Sequence, residues 1–218
     1  MLRAPKTFMS KPWQQSNARR AETRPLRRYL IVCEDSKSSA DYLRAFRIPP
    51  DVAEVQTIGG QGNTDSLVER ARELQEKATL LKQPYIHVWC VFDRDEHPPK
   101  RFCRAIDLCR SRRDMTAIWS NECFELWYLL HFCYRDTAIG RHELVTELGR
   151  PDRLGKKYDK ADTGLYSALE AQMPTALRNA TRLLASYGSE LKPATANPAT
   201  MVHILVRQLL EIRGAVSE

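Results

Sequence analysis

The apolar run Val88-Trp-Cys-Val-Phe92 is followed at once by Asp93-Arg94-Asp95. Consecutive apolar residues of this kind suit a strand covered on both faces, where every side chain must find apolar company. Such strands belong to parallel sheets wrapped by helices, and charge begins only where the strand leaves the core. The two aspartates therefore mark a strand's carboxyl end, the place where open α/β sheets bind ligands.

A second short apolar run, Arg28-Tyr-Leu-Ile-Val-Cys33, also ends in acids, Glu34-Asp35. Tyr42, Leu43 and Phe46 share one side of a helical pattern from Ser38 to Phe46, which Pro49-Pro50 closes. Val52 to Ile58 alternates as a strand, Gly59 to Asn63 reads as a flexible turn, and Thr64 to Lys82 reads as a long charged-faced helix capped by Thr64 or Asp65. A helix from about Pro99 to Arg112 and a short strand from Met115 to Trp119 complete the alternation. These signals predict a Rossmann-like α/β core over residues 28–120, with about four parallel strands.

From Asn121 onward only helices are predicted. Phe124, Trp127, Tyr128 and His131 fall at helical spacing, so Glu122 to Cys133 is expected to be an amphipathic helix. A second helix is expected from about Thr163 to Ser186 despite Pro174, and a third starts with Asn197 as cap and Pro198 in the first turn. Together they predict a helical subdomain, residues 121–218, packed on the core.

The charge is unevenly placed. Of 34 basic and 27 acidic residues, the first 28 positions hold eight and one, which leaves 26 of each in the rest. Residues 1–27 therefore read as a basic, flexible N-terminal arm able to attract phosphate backbones or acidic surfaces; a solvated tail and a mitochondrial transit peptide share that composition. No apolar run is long enough for a transmembrane helix, and the N-terminus lacks the apolar segment of a secretion signal. The six cysteines form no CxxC pair, and Cys33 and Cys90 sit inside apolar runs as small hydrophobes, so reduced thiols and a cytoplasmic protein are expected.

Acids at the ends of two strands would converge at one rim, and the two-residue period of an extended chain points Asp93 and Asp95 to the same side. Like charges a few ångströms apart raise each other's pKa, a cost that a divalent cation removes. Hard oxygen ligands that leave waters on the ion are what magnesium prefers. The alternative is a pair of turn residues satisfied by nearby amides and by Arg94.

The strand-end pattern Ile31-Val-Cys-Glu34 with Val91-Phe-Asp93-Arg-Asp95 resembles the Toprim domain, a magnesium-binding module. Taken with SNECFELWYLLHF from Ser120, the KKYDK loop at Lys156–Lys160 and NPATMVH from Asn197, it resembles more specifically the RloB-like family. The resemblance spans residues 29 to about 210. It departs at Asp35, where a glycine is usual, at Ser38-Ser39, and at Glu122, where a proline is common.

The resemblance implies that Glu34 is a general acid or base that also touches the metal, and that Asp93 and Asp95 hold magnesium, or manganese in its place. It implies a nuclease cleaving DNA or RNA in bacterial anti-phage defence, with an ATPase partner encoded nearby. The chain itself has no GxxxxGK[ST] motif. A non-catalytic effector that binds a metal or nucleotide is the competing reading. Asp35, Glu125 and His131 are further candidates for the site, although an acid in a helix's first turn and a histidine on an apolar stripe, like His203, also have structural explanations. Lys156, Lys157, Lys160, Arg27 and Arg28 are candidates for phosphate contacts.

Overall fold

The computed structural model describes residues 26–62, 64–95 and 97–214. The apolar runs become the central strands β1 (Arg27–Cys33) and β3 (His87–Asp93), which pair in parallel with Ile31 opposite Trp89 and Cys33 opposite Val91. Outside them lie β2 (Ala53–Ile58), parallel to β1, and β4 (Met115–Asn121), parallel to β3. A two-residue strand, β5 (Ala199–Thr200), closes the sheet antiparallel to β4, giving the order β2-β1-β3-β4-β5.

Alternation along the strands divides the core in two. Leu30, Val32, Val88, Cys90, Phe92, Ala117 and Trp119 face α2 (Thr64–Leu80) and α3 (Pro99–Arg110). Ile31, Cys33, Trp89, Val91 and Ile118 face the opposite way, where the crossover helix α1 (Ser38–Arg44) has only seven residues. So short a helix cannot cover that face. The rest is covered by α4 (Glu125–Leu129), α5 (Arg141–Leu148), α6 (Leu165–Leu169), α7 (Met173–Ser186) and α8 (Val202–Gly214), whose Leu126, Trp127, Leu144, Leu183 and Leu205 join the same cluster. Each large apolar side chain fully buried here contributes roughly 1.5–3 kcal/mol relative to exposure. The C-terminal helices thus share one continuous core with the sheet, forming its second outer layer.

Several expectations need correction. The segment Glu122–Cys133 is not one amphipathic helix. Glu122 stays tied to the strand end, its carbonyl accepting from Asp95 N at 3.0 Å, and α4 starts only at Glu125 and is buried on all sides. After Leu129 the chain tightens, with Phe132 N donating to Leu129 O at 3.0 Å. The helix expected over Thr163–Ser186 is broken into α6, a 3₁₀ turn (Glu170–Gln172) and α7, because Pro174 lacks an N–H and its ring crowds the carbonyl one turn back, while suiting the first turn of α7.

The segment at Asn197-Pro198 does not start a helix. The Asn197 side chain instead brackets Ile139, its Oδ1 accepting from Ile139 N at 3.1 Å and its Nδ2 donating to Ile139 O at 3.3 Å. The chain then forms β5, and α8 begins at Val202, whose N–H is met by the Thr200 hydroxyl at 3.2 Å. An all-helical second half was therefore wrong by one strand, and α5 was not foreseen. The basic arm of residues 1–27 lies outside the described residues except for its last two. Among the described residues no helix is long and apolar enough to cross a membrane, and all six cysteines are free thiols.

Candidate functional site

The chain runs from β1 outward to β2, then crosses back past β1 to β3. The β1/β3 boundary is thus the switch point of the sheet, and the loops there diverge to leave a crevice. Glu34, Asp35, Ser39, Asp93, Asp95, Arg141 and Lys160 line a cleft at this place, with Val91 and Phe92 at its floor. Glu34, Asp35, Asp93 and Asp95 come from the ends of β1 and β3 and the loops after them, and Ser39 from the first turn of α1. Arg141 is the first residue of α5, and Lys160 belongs to the KKYDK loop.

Strand register alone brings the acids together. Glu34 N continues the ladder by donating to Val91 O at 2.9 Å, and the Glu34 carboxylate accepts from Asp93 N at 3.3 Å. Its other oxygen lies 2.5 Å from His97 Nε2. Asp93 and Asp95 do reach one cleft, but not along an extended chain. β3 ends at Asp93, Arg94 N and Asp95 N bond to the carbonyls of Ser120 and Glu122, and Asp95 turns into the left-handed region at φ 35°. That conformation is uncommon for a residue with a Cβ and is concentrated at functional loops.

Arg94 does not satisfy the aspartates. Its guanidinium turns away to the carbonyls of Ala194, Asp95 and His97, fastening the loop to the segment before β5. Arg141 takes that part instead, with Nη2 2.6 Å from Asp95 Oδ2 and 3.9 Å from Asp93 Oδ2.

Asp35 has a different life from its neighbours. Its carboxylate accepts from the Ser38 and Ser39 hydroxyls and from Ser39 N, so it ties down the first turn of α1, and Lys160 Nζ stands 3.5 Å away. Burial works to raise its pKa, yet these hydroxyls and Lys160 hold it below the ordinary value. The Ser38-Ser39 pair therefore complements Asp35. Opposite it packs Gly59, where an added Cβ would stand 2.6 Å from Asp35 O and 2.9 Å from Ser36 Cα. Only glycine fits there. The turn expected to be flexible is a wall against which the Glu34–Asp35 loop rests.

Asp93 is the least compensated member, with Arg141 no closer than 3.9 Å. Desolvation, followed by the charges of Glu125, Asp35 and Glu34, pushes its pKa well above the ordinary carboxylate value, and an N–H from Phe124 offsets this only in part. Glu125 is buried, and it accepts from the Tyr158 hydroxyl at 2.8 Å. The KKYDK loop is thus fixed by its tyrosine, while Lys156 pairs with Asp162 at 2.6 Å and Lys157 stays exposed.

A sequence model of the RloB-like protein family matches residues 29–209. The chain belongs to the RloB-like family. No curated protein and no solved structure matches it.

The fold of this RloB-like protein leaves other candidates outside the cleft. His131 is a core residue, with Nδ1 2.9 Å from Trp127 O and burial pulling its pKa down to about 4. His203 is likewise buried and pulled down to about 4. Arg27 and Arg28 begin β1 and stand at the opposite end of the sheet, roughly 20 Å of strand away from Glu34. Arg141, His97 and Tyr158 were missed by sequence reasoning. Tyr158 sits inside a recognised motif and could have been inferred. Nothing near Arg141 in the sequence marks it.

Among the described residues no three His, Cys, Asp or Glu side chains form a ready-made metal cage. Magnesium does not need one, because it is held by one or two carboxylates and keeps several waters. Asp93 and Asp95, with Glu34 beside them, fit that requirement, and the raised pKa of Asp93 marks the charge that a cation would settle.

Proposed function

We propose that this RloB-like protein is a magnesium-dependent nuclease that cleaves phosphodiester bonds of DNA or RNA. The observation carrying the reading is Asp93, a carboxylate clustered with three others in an open cleft at the sheet's switch point. Asp93 and Asp95 would hold the cation, with manganese able to replace magnesium. When bound, the ion supplies charge stabilisation at the scissile phosphate. Glu34 moves a proton, and His97 at 2.5 Å fixes its carboxylate in place. Lys160 at the rim, with exposed Lys157, meets the nucleic-acid backbone. The resemblance to Toprim proteins supports these roles, and RloB-like membership supports a place in bacterial anti-phage defence beside an ATPase partner.

Labelled single- and double-stranded DNA and RNA, incubated with the full-length protein in magnesium, manganese or chelator, test the reading. Metal-dependent cleavage that Glu34→Gln abolishes is expected. A protein that binds the ion but leaves every substrate intact, alone and with a neighbouring ATPase, would point to the second reading: a metal- or nucleotide-binding effector. One feature favours that alternative. Arg141 and Lys160 already neutralise part of the acidic cluster without any ion.

A further inference from the structure

Arg141 does more than line the cleft. Its Nη2 is on Asp95 at 2.6 Å and reaches toward Asp93 at 3.9 Å, so a cation of the chain's own stands against the two carboxylates assigned to the metal. The same guanidinium has a buried Nε with no hydrogen-bond partner, although a fork of five donors is rarely left with an orphan inside. Its side chain is 38% exposed, and it is carried on the first residue of α5 rather than on the sheet.

We propose that Arg141 has two stations: it is the built-in counter-ion of Asp93 and Asp95 when no divalent cation is present, and it binds a phosphodiester oxygen of the substrate when one is. The inference rests on the metal-site reading above and names the residue that links metal uptake to phosphate recognition. A divalent ion and a guanidinium held against the same carboxylate oxygens repel each other and compete for them. The weaker, singly charged partner yields. Once released, Arg141 still faces the cleft, and its planar fork, with Nε included, matches two oxygens of a phosphate. Asp35 offers a contrast at the same rim. Its carboxylate remains engaged by Ser38 and Ser39 whether or not Lys160 is present, so Lys160 can meet phosphate without any exchange.

Manganese affinity, measured by calorimetry on the full-length protein without nucleic acid, separates this from a purely structural ion pair. Arg141→Met should bind manganese more tightly than the wild type, by roughly two- to fivefold, the range expected on removing a partly exposed competing ion pair. Arg141→Lys, which keeps the charge, should stay near wild-type affinity and guards against a folding defect in the methionine variant. In cleavage assays Arg141→Met should raise KM for nucleic acid despite better metal loading. An unchanged or weaker manganese affinity in Arg141→Met overturns the proposal while leaving the functional reading intact. Tighter metal binding with no cleavage by the wild type supports the first station and overturns the nuclease reading instead. Wild-type-like KM in Arg141→Met removes the second station. If neither protein takes up the ion, both readings fall.

Discussion

The two ends of the sheet handle charge in opposite ways. At the amino end of β1, Arg28 meets Glu54 on β2 through two hydrogen bonds of 2.8 and 2.9 Å, donates to Gln83 O, and lies 4.8 Å over the Tyr85 ring. Their mutual hydrogen bonds raise the pKa of Arg28 and lower that of Glu54, so each ion is more at ease than in water. At the carboxyl end of the same strands, Glu34, Asp35, Asp93 and Asp95 line one cleft, and Asp93, desolvated and facing the charges of Glu125, Asp35 and Glu34, is driven the other way. One rim is settled by its own residues. The other holds a carboxylate that its own residues settle only in part, Arg141 standing 3.9 Å from Asp93, and such perturbed groups collect at functional sites.

The sharpest way to break this comparison is to remove the group proposed to handle the proton. Glu34→Gln keeps the shape and can still accept from Asp93 N, so the fold should persist. Turnover should fall about 10²- to 10⁴-fold if Glu34 moves a proton, with manganese affinity measured in parallel to show that the site still loads. Equal losses in rate and in metal binding would reduce Glu34 to a ligand.

A smaller loss is expected from Gly59→Ala, which acts on the loop rather than the chemistry. The new Cβ would meet Asp35 O at 2.6 Å and Ala40 Cβ at 2.8 Å, both fixed atoms, so the Glu34–Asp35 loop or the Gly59 turn must move. Overpacking of this sort costs about 1–3 kcal/mol. Urea unfolding should show that destabilisation, and cleavage should drop by more than the unfolded fraction accounts for. An activity loss that only tracks unfolding would mean the loop's position is not critical.

Asp93→Asn sharpens the contrast from the side of stability, and its sign depends on pH. Because the folded pKa of Asp93 lies above the ordinary carboxylate value, the native protein keeps a proton that the unfolded chain has already released. Stability therefore falls as pH rises from the ordinary value through the raised one. Asparagine lacks this penalty. In chelator, Asp93→Asn should melt higher than wild type near neutral pH, with the advantage shrinking toward zero as pH drops below the ordinary carboxylate range. With manganese present the order should reverse, because the variant loses the bound ion's stabilisation. A variant that is less stable at every pH, with or without metal, would make the Asp93 end as structural as the Arg28 end.

The settled rim and the unsettled one were not equally legible. Apolar runs bounded by acids were enough to place β1 and β3 and to bring Glu34 and Asp93 to one edge, because burial on two faces demands uninterrupted hydrophobic sequence. α4 misled for the opposite reason: a helix buried on all sides carries no face to read, and its aromatic spacing suggested a longer, amphipathic one. β5 has two residues, too few for any period, and its place is set by Asn197 reaching Ile139 across 58 positions. Arg141 and His97 are likewise tertiary facts. Their roles arise from where α5 and the loop after β3 come to rest, which no local pattern encodes.

The smallest effect belongs to Glu54→Ala at the settled rim. Glu54 is 42% exposed in its side chain, and exposed ion pairs contribute about 0–1 kcal/mol. Arg28 would keep its bonds to Gln83 O and its place over Tyr85, so it is not left as an orphan charge. A drop in melting temperature of a degree or two at low salt, fading at high salt, is expected. Manganese affinity and cleavage should match wild type, since roughly 20 Å of strand separate Glu54's partner from Glu34. A clear loss of cleavage in Glu54→Ala would show that the two ends of the sheet are coupled, and that the charges at the amino end serve the site rather than the fold alone.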